Sequence, residues 1–134
     1  MATRHQVRES VISLLYAKDI GNSDIDKYID ELLEDKKIRN KQKEFALELY
    51  NGIDKSIKTL DEMIDRHLKE WKIKDLGHIE RSILRMGAYE ILNSSLDNAV
   101  IINEAIELSK SLASENSPKF IHGVLDAIIK DKGR

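Results

Sequence analysis

The sequence predicts an all-α fold, a compact bundle of about six or seven helices in two packed subdomains. Apolar residues recur at helical spacing from one end of the chain to the other. Aromatic residues make up only 5%, with one proline and six scattered glycines, a composition that disfavours β-sandwiches, collagen and low-complexity disorder. At 134 residues and 41% apolar content the chain can build one sizeable core. The expected organisation is a single domain over residues 1–134, its subdomains covering roughly 1–71 and 72–134.

Each element follows from its own pattern. Val7, Val11, Leu14 and Leu15 form the stripe of a first helix from about Arg4 to Asp19, with Thr3 placed to cap it. Gly21, Asn22 and Ser23 punctuate the chain, and Ser23 with Asp26 resembles a capping box for a second helix carrying Ile25, Ile29, Leu32 and Leu33. Phe45, Leu49, Ile53, Ile57, Leu60, Ile64 and Leu68 then follow at steps of three and four, which predicts one long helix rising about 35 Å. Gly52 inside it costs up to about 1 kcal/mol, which the periodicity outweighs. Ile73 to Gly77 reads as a connection. The broad apolar face of Ile79, Ile83, Leu84, Met86, Ala88, Ile91 and Leu92 predicts a buried central helix. Beyond a polar turn from Asn93 to Asn98, one helix carries Ile102, Ala105, Ile106 and Leu112. A last helix carries Phe120, Ile121, Val124, Leu125, Ile128 and Ile129, and tolerates Pro118 in its first turn.

Composition also restricts function. With 22 basic and 24 acidic side chains the net charge is -2, so polyanions must be held by a local patch and not by bulk attraction. The absence of cysteine removes disulfides and thiolate metal sites and fits a reducing, cytoplasmic setting. The longest apolar runs are four residues, so no membrane span is expected. No phosphate loop, dinucleotide fingerprint or nucleophile–base pair is present, and no catalytic residue, metal or cofactor is expected. His67 and Glu70 have ligand-like spacing, but two ligands make no site, and a solvated helix face explains them.

Three features carry potential binding chemistry. Arg4, His5 and Arg8 fall on one side of the opening helix at a spacing that suits successive phosphates, and Tyr16 two turns on offers a surface for an unstacked base. A hydrated helix start is the plain alternative, although cations at a helix N-terminus oppose the macrodipole. Lys36, Lys37, Arg39, Lys41 and Lys43 form a denser basic stretch without an aromatic partner, which fits a solubilising loop or one that adds only counterion-release affinity. Phe120, beside Lys119, is either core or an exposed ring.

These residues together resemble the NusB family of bacterial transcription antitermination factors over nearly the whole chain. The resemblance rests on Arg8-Glu9 with Leu15-Tyr16, on Ile79 to Arg85 continued by Tyr89-Glu90, and on Ile102 to Lys110 joined to Lys119 to Asp126. It implies an all-helical fold and binding of single-stranded boxA-type leader RNA together with NusE, a small-subunit ribosomal protein, within the RNA polymerase antitermination complex of ribosomal RNA operons. By position it implies that Arg4, His5, Arg8 and Tyr16 belong to an RNA-binding arm, that Lys119, Phe120 and His122 belong to a second RNA-facing patch, and that Glu80, with Tyr16, faces the protein partner. Two departures stand out: His5 and Gln6 interrupt the family's arginine run, and His122 stands where Asn is usual. The resulting expectation is a non-catalytic RNA-binding adaptor whose opening and closing helices share one continuous landing surface. A helical protein-interaction module without RNA binding is the rival.

Overall fold

A computed structural model describes residues 2–134, and among them only helices and turns occur. Seven α-helices are present: α1 (Arg4–Asp19), α2 (Ile29–Asp35), α3 (Lys41–Lys55), α4 (Ile57–Asp65), α5 (His78–Asn93), α6 (Asn98–Leu112) and α7 (Ser117–Asp131). Single 3-10 turns at Ser23–Lys27 and Ile73–Asp75 precede α2 and α5. No helix among the described residues is long and apolar enough to cross a membrane.

The chain divides into two compact units, Met1–Lys55 and Ser56–Arg134. The division therefore falls earlier than the expected one near residue 72, because α4 packs with α5 and α7. In the first unit α1 lies against α3, burying Val7, Val11, Ile12 and Leu14 with Ala46, Leu49 and Ile53. In the second, α5, α6 and α7 pack mutually around Ile83, Leu84, Ile101, Leu108, Ile121 and Leu125. At Gly87 an added Cβ would stand 2.8 Å from Leu125 Cδ1, so only glycine allows α5 and α7 to approach this closely.

Three sequence expectations require correction. The single long helix is two, because Ser56 (φ -107°, ψ 10°) leaves the helical region between α3 and α4. One irregular residue scarcely disturbs the phase of the apolar stripe, which is why the periodicity runs on unbroken. The Ser23–Asp26 capping box does not form: Ser23 opens the 3-10 turn, and α2 starts only at Ile29 with no side-chain cap. Leu92, counted with the buried face of α5, is 40% exposed. Thr3, by contrast, caps α1 as expected. Its Oγ1 accepts from the Gln6 amide N–H at 3.1 Å, and Gln6 Oε1 accepts from the Thr3 N–H at 2.8 Å, closing a reciprocal box.

Candidate nucleic-acid interface

The first unit concentrates cations at the head of α1. No acidic residue stands in the first turn of α1, so Arg4 meets the positive end of the helix dipole uncompensated by a carboxylate in that turn. The compensation comes from α3: the Arg4 guanidinium carbon lies 3.9 Å from the centroid of the Phe45 ring, and that of Arg8 lies 5.2 Å from the same centroid. Each such contact is worth about 0.5–1 kcal/mol when exposed and more when desolvated. Arg4 remains exposed, whereas Arg8 is only 5% exposed. The arm thus differs from a row of equally solvated cations: Arg4 presents its charge outward, and Arg8 forms the buried floor beside it.

His5 turns to Glu9, with Nε2 3.3 Å from Oε1, so it points along the helix toward a carboxylate. Tyr16 is 37% exposed, about 12 Å further along α1 from Arg8. The Gln42 side-chain amide donates to the Ala2 carbonyl, fastening the start of α1 to the start of α3. At the other end of α1 the Lys18 ammonium bridges Asp26 at 3.0 Å and Asp54 at 2.9 Å, and the Tyr50 hydroxyl donates to Asp26 Oδ1 at 2.7 Å. That hydroxyl first, and the ammonium second, hold the Asp26 carboxyl below its ordinary range. The hydrogen bond to Asp54 holds the Lys18 ammonium above its own. Burial and the neighbouring Asp26 push the Tyr50 phenol upward. These contacts fix the direction of α1, and hence of its cationic head.

The second unit contains a concavity of about 370 Å³ lined by Trp71, Leu76, Glu80, Asn116, Ser117 and Phe120. Glu80, in the first turn of α5, accepts from the Ser117 hydroxyl at 2.6 Å, and Ser117 in turn meets the Ser114 hydroxyl at 2.9 Å. Ser117 is 1% exposed, so the carboxylate of Glu80 is oriented from a buried anchor at the start of α7. A Cβ at Gly77 would stand 2.7 Å from Glu80 Oε1, and its absence leaves room for that rotamer. Phe120 is half-buried against the concavity, while Lys119 and His122, one turn apart, lie on the exposed side of α7. Trp71 is 55% exposed at the rim.

The structure therefore brings Arg4 and Arg8 together over one ring, and Glu80 together with Phe120 in one concavity. Two functional candidates were missed. In the sequence Phe45 is the first rung of a core stripe, and its place under the arginines depends on a helix distant in sequence. Trp71 was passed over, although a tryptophan among Lys69, Glu70 and Lys72 is itself a signal of an exposed ring. The His67 and Glu70 pair dissolves: His67 Nδ1 lies 2.8 Å from the Met63 carbonyl and Nε2 lies 3.4 Å from Asp131, so the ring ties α4 to α7 and is not a solvated helix face. Among the described residues no group of three or more His, Asp or Glu side chains is arranged to hold a metal.

The chain is similar to known proteins in both sequence and fold. The sequence model of the NusB family matches residues 5–130. The chain is 58% identical to a transcription antitermination protein NusB of Nitratiruptor over 131 residues, covering 98% of this chain and 94% of that one. It is 60% identical to its Sulfurimonas denitrificans counterpart over 132 residues, covering 98% and 100%. Among solved structures, T. maritima NusB superimposes with a TM-score of 0.88 at 32% identity, covering 97% of this chain and 92% of that one. NusB from a complex of antitermination factors NusB and NusE with double-stranded RNA superimposes at 0.84 and 31% identity, covering 96% of each chain.

Proposed function

The chain belongs to the NusB family of transcription antitermination proteins and is not an enzyme, and from that premise we propose that it is an RNA-binding adaptor. In this reading it binds a boxA-type segment of nascent ribosomal RNA leader transcripts together with NusE, in the cytoplasm, and helps RNA polymerase read through terminators. The observation that carries it is the pair of guanidiniums over Phe45 at the head of α1. An aromatic floor holds one arginine outward and ready for a phosphate, so less side-chain entropy is lost on binding than from a free surface arginine.

The residues divide by chemistry. Arg4 and His5 serve the RNA backbone, Arg8, expected among the phosphate contacts, is buried and supports Arg4 from below, and Tyr16 supplies a face for an unstacked base. Lys119 adds a phosphate contact, and Phe120 and His122 offer base contacts. Glu80 is a hydrogen-bond acceptor held by Ser117, suited to N–H donors of the protein partner. With about three phosphates neutralised, log affinity for single-stranded RNA falls against log salt with a slope of about -2.

Binding of a boxA-like RNA, single-stranded and as a duplex, with and without NusE at two salt concentrations tests this. Arg4→Gln is expected to weaken RNA binding and leave NusE binding intact, and Glu80→Gln to weaken NusE binding first. A salt slope of zero, or equal binding to unrelated RNA sequences, counts against the assignment. A parent protein that binds NusE but no RNA supports a protein-interaction module instead.

A further inference from the structure

The basic loop between α2 and α3 is left without a role by the reading above, and its structure is more specific than a solubilising tail. It turns through two non-glycine residues with left-handed backbone, Lys37 (φ 59°) and Asn40 (φ 57°). Asn tolerates this region, whereas Lys adopts it at a cost. Ile38 between them is 1% exposed and pins the loop to the body of its unit. The loop is thus held in shape, with its cations projecting from a fixed frame.

Those cations are unequal. Arg39 is bound to Glu34, with guanidinium contacts of 3.0 and 2.6 Å, and Lys43 faces Asp30 at 3.3 Å. Lys36, Lys37 and Lys41 are exposed and form no ion pair among the described residues. Lys37, Arg39, Asn40, Lys41 and Gln42 line an open concavity of about 440 Å³. Gln42 is the same residue that donates to the Ala2 carbonyl, so this concavity borders the start of α1, whose first residue is Arg4. The cationic surface of the first unit therefore runs on past the Arg4–Phe45–Arg8 stack.

We propose that the α2–α3 loop binds the phosphates of RNA flanking the segment held at the head of α1, an inference that rests on the RNA-binding reading of α1. Lys36, Lys37 and Lys41 are the contributing groups. Among the described residues no aromatic side chain lines the loop's concavity, so it reads charge and not sequence. An acidic polypeptide would satisfy the same charges. RNA is favoured because the loop's concavity shares Gln42 with the clasp at the start of α1, so a strand leaving the arginine stack has the loop's lysines beside it.

The test uses the full chain, a short boxA-like RNA and the same RNA extended by a flank of arbitrary sequence, each titrated at several salt concentrations. The parent is expected to bind the extended RNA more tightly, with a salt slope steeper by about 2, from about 0.7 per phosphate for three lysines. Lys36→Gln, Lys37→Gln and Lys41→Gln combined should return the extended RNA to the short RNA's affinity and slope, while short-RNA binding is unchanged. Arginine at the same three positions should keep the gain. Lys41→Glu alone, at an exposed position, gives a smaller loss in the same direction and guards against misfolding of the triple variant. Equal slopes for the two RNAs in the parent overturn the proposal, as does a triple variant that keeps the gain. So does poly-glutamate competing for the loop when the flank adds nothing. A parent that binds the short RNA without a flank effect sinks the loop assignment alone; a parent that binds neither RNA sinks the reading of α1 with it.

Discussion

At the head of α1 two guanidiniums share the face of Phe45, whereas the concavity of the second unit places a carboxylate, Glu80, among Trp71 and Phe120. The first surface is cationic with its aromatic ring underneath; the second is acidic with its rings at the rim. A chain of net charge -2 can still bind RNA when its cations are gathered on one surface and its carboxylates are occupied elsewhere. The comparison also separates tasks. A ring beneath a cation orients charge toward phosphate, while exposed rings around a hydrogen-bond acceptor suit flat partners and N–H donors.

The largest expected effect tests whether the second region's frame rests on a buried ion pair. Arg85, 7% exposed on α5, donates from Nε and Nη2 to Asp61 of α4 at 2.7 and 2.8 Å. Removing the carboxylate takes the two-pronged partner from a buried guanidinium, so Asp61→Ala is expected to destabilise by about 2–3 kcal/mol, read as a lower denaturant midpoint. An unchanged midpoint would mean that the pair contributes nothing to the frame around Glu80.

A smaller effect is expected in the first region. Phe45→Leu keeps an apolar side chain but removes the ring face, and should cost about 1 kcal/mol of RNA binding, roughly fivefold in affinity, with NusE binding retained. Loss of both binding activities together would show that the two regions do not divide the work as described.

The smallest effect is in acid. The Asp26 carboxyl, held down by Tyr50 and Lys18, contributes stability that is present above its unfolded value near 4 and is lost as the pH falls through its lower folded value. The Lys18 ammonium, held up, contributes below its ordinary value of 10.5 and loses that contribution as the pH rises past it. Melting curves of Asp26→Asn and the parent should therefore differ at neutral pH and converge in acid below that range. Parallel curves throughout would remove the network from the account of how α1 is aimed.

Much of this was legible in advance for local reasons. The bounds of α1 and the capping role of Thr3 depend on residues within one turn, and Pro118 at the start of α7 marks its own position. The break at Ser56 was not legible, because a one-residue interruption leaves apolar residues in phase on either side. Gln6, an interruption in the expected arginine run, is half of the capping box, a role that its spacing of three from Thr3 already signals in the sequence. Arg4 and Arg8 were singled out, but the burial of Arg8 was not, since arginine is ordinarily solvated and its cover is supplied by α3. Phe45 and Trp71 show the same limit from opposite sides: a ring in an apolar stripe can face a cation, and a ring among charges can stand in solvent.

The clasp from Gln42 to the Ala2 carbonyl has a practical corollary for anyone preparing this protein. A purification handle fused ahead of Ala2 would emerge beside the arginines. An acidic leader there would compete with nucleic acid as an intramolecular decoy, and a polyhistidine leader would lend it spurious affinity. Binding constants from such fusions should be compared with those of cleaved protein, or the handle moved to the opposite terminus, before any value is assigned to the native surface.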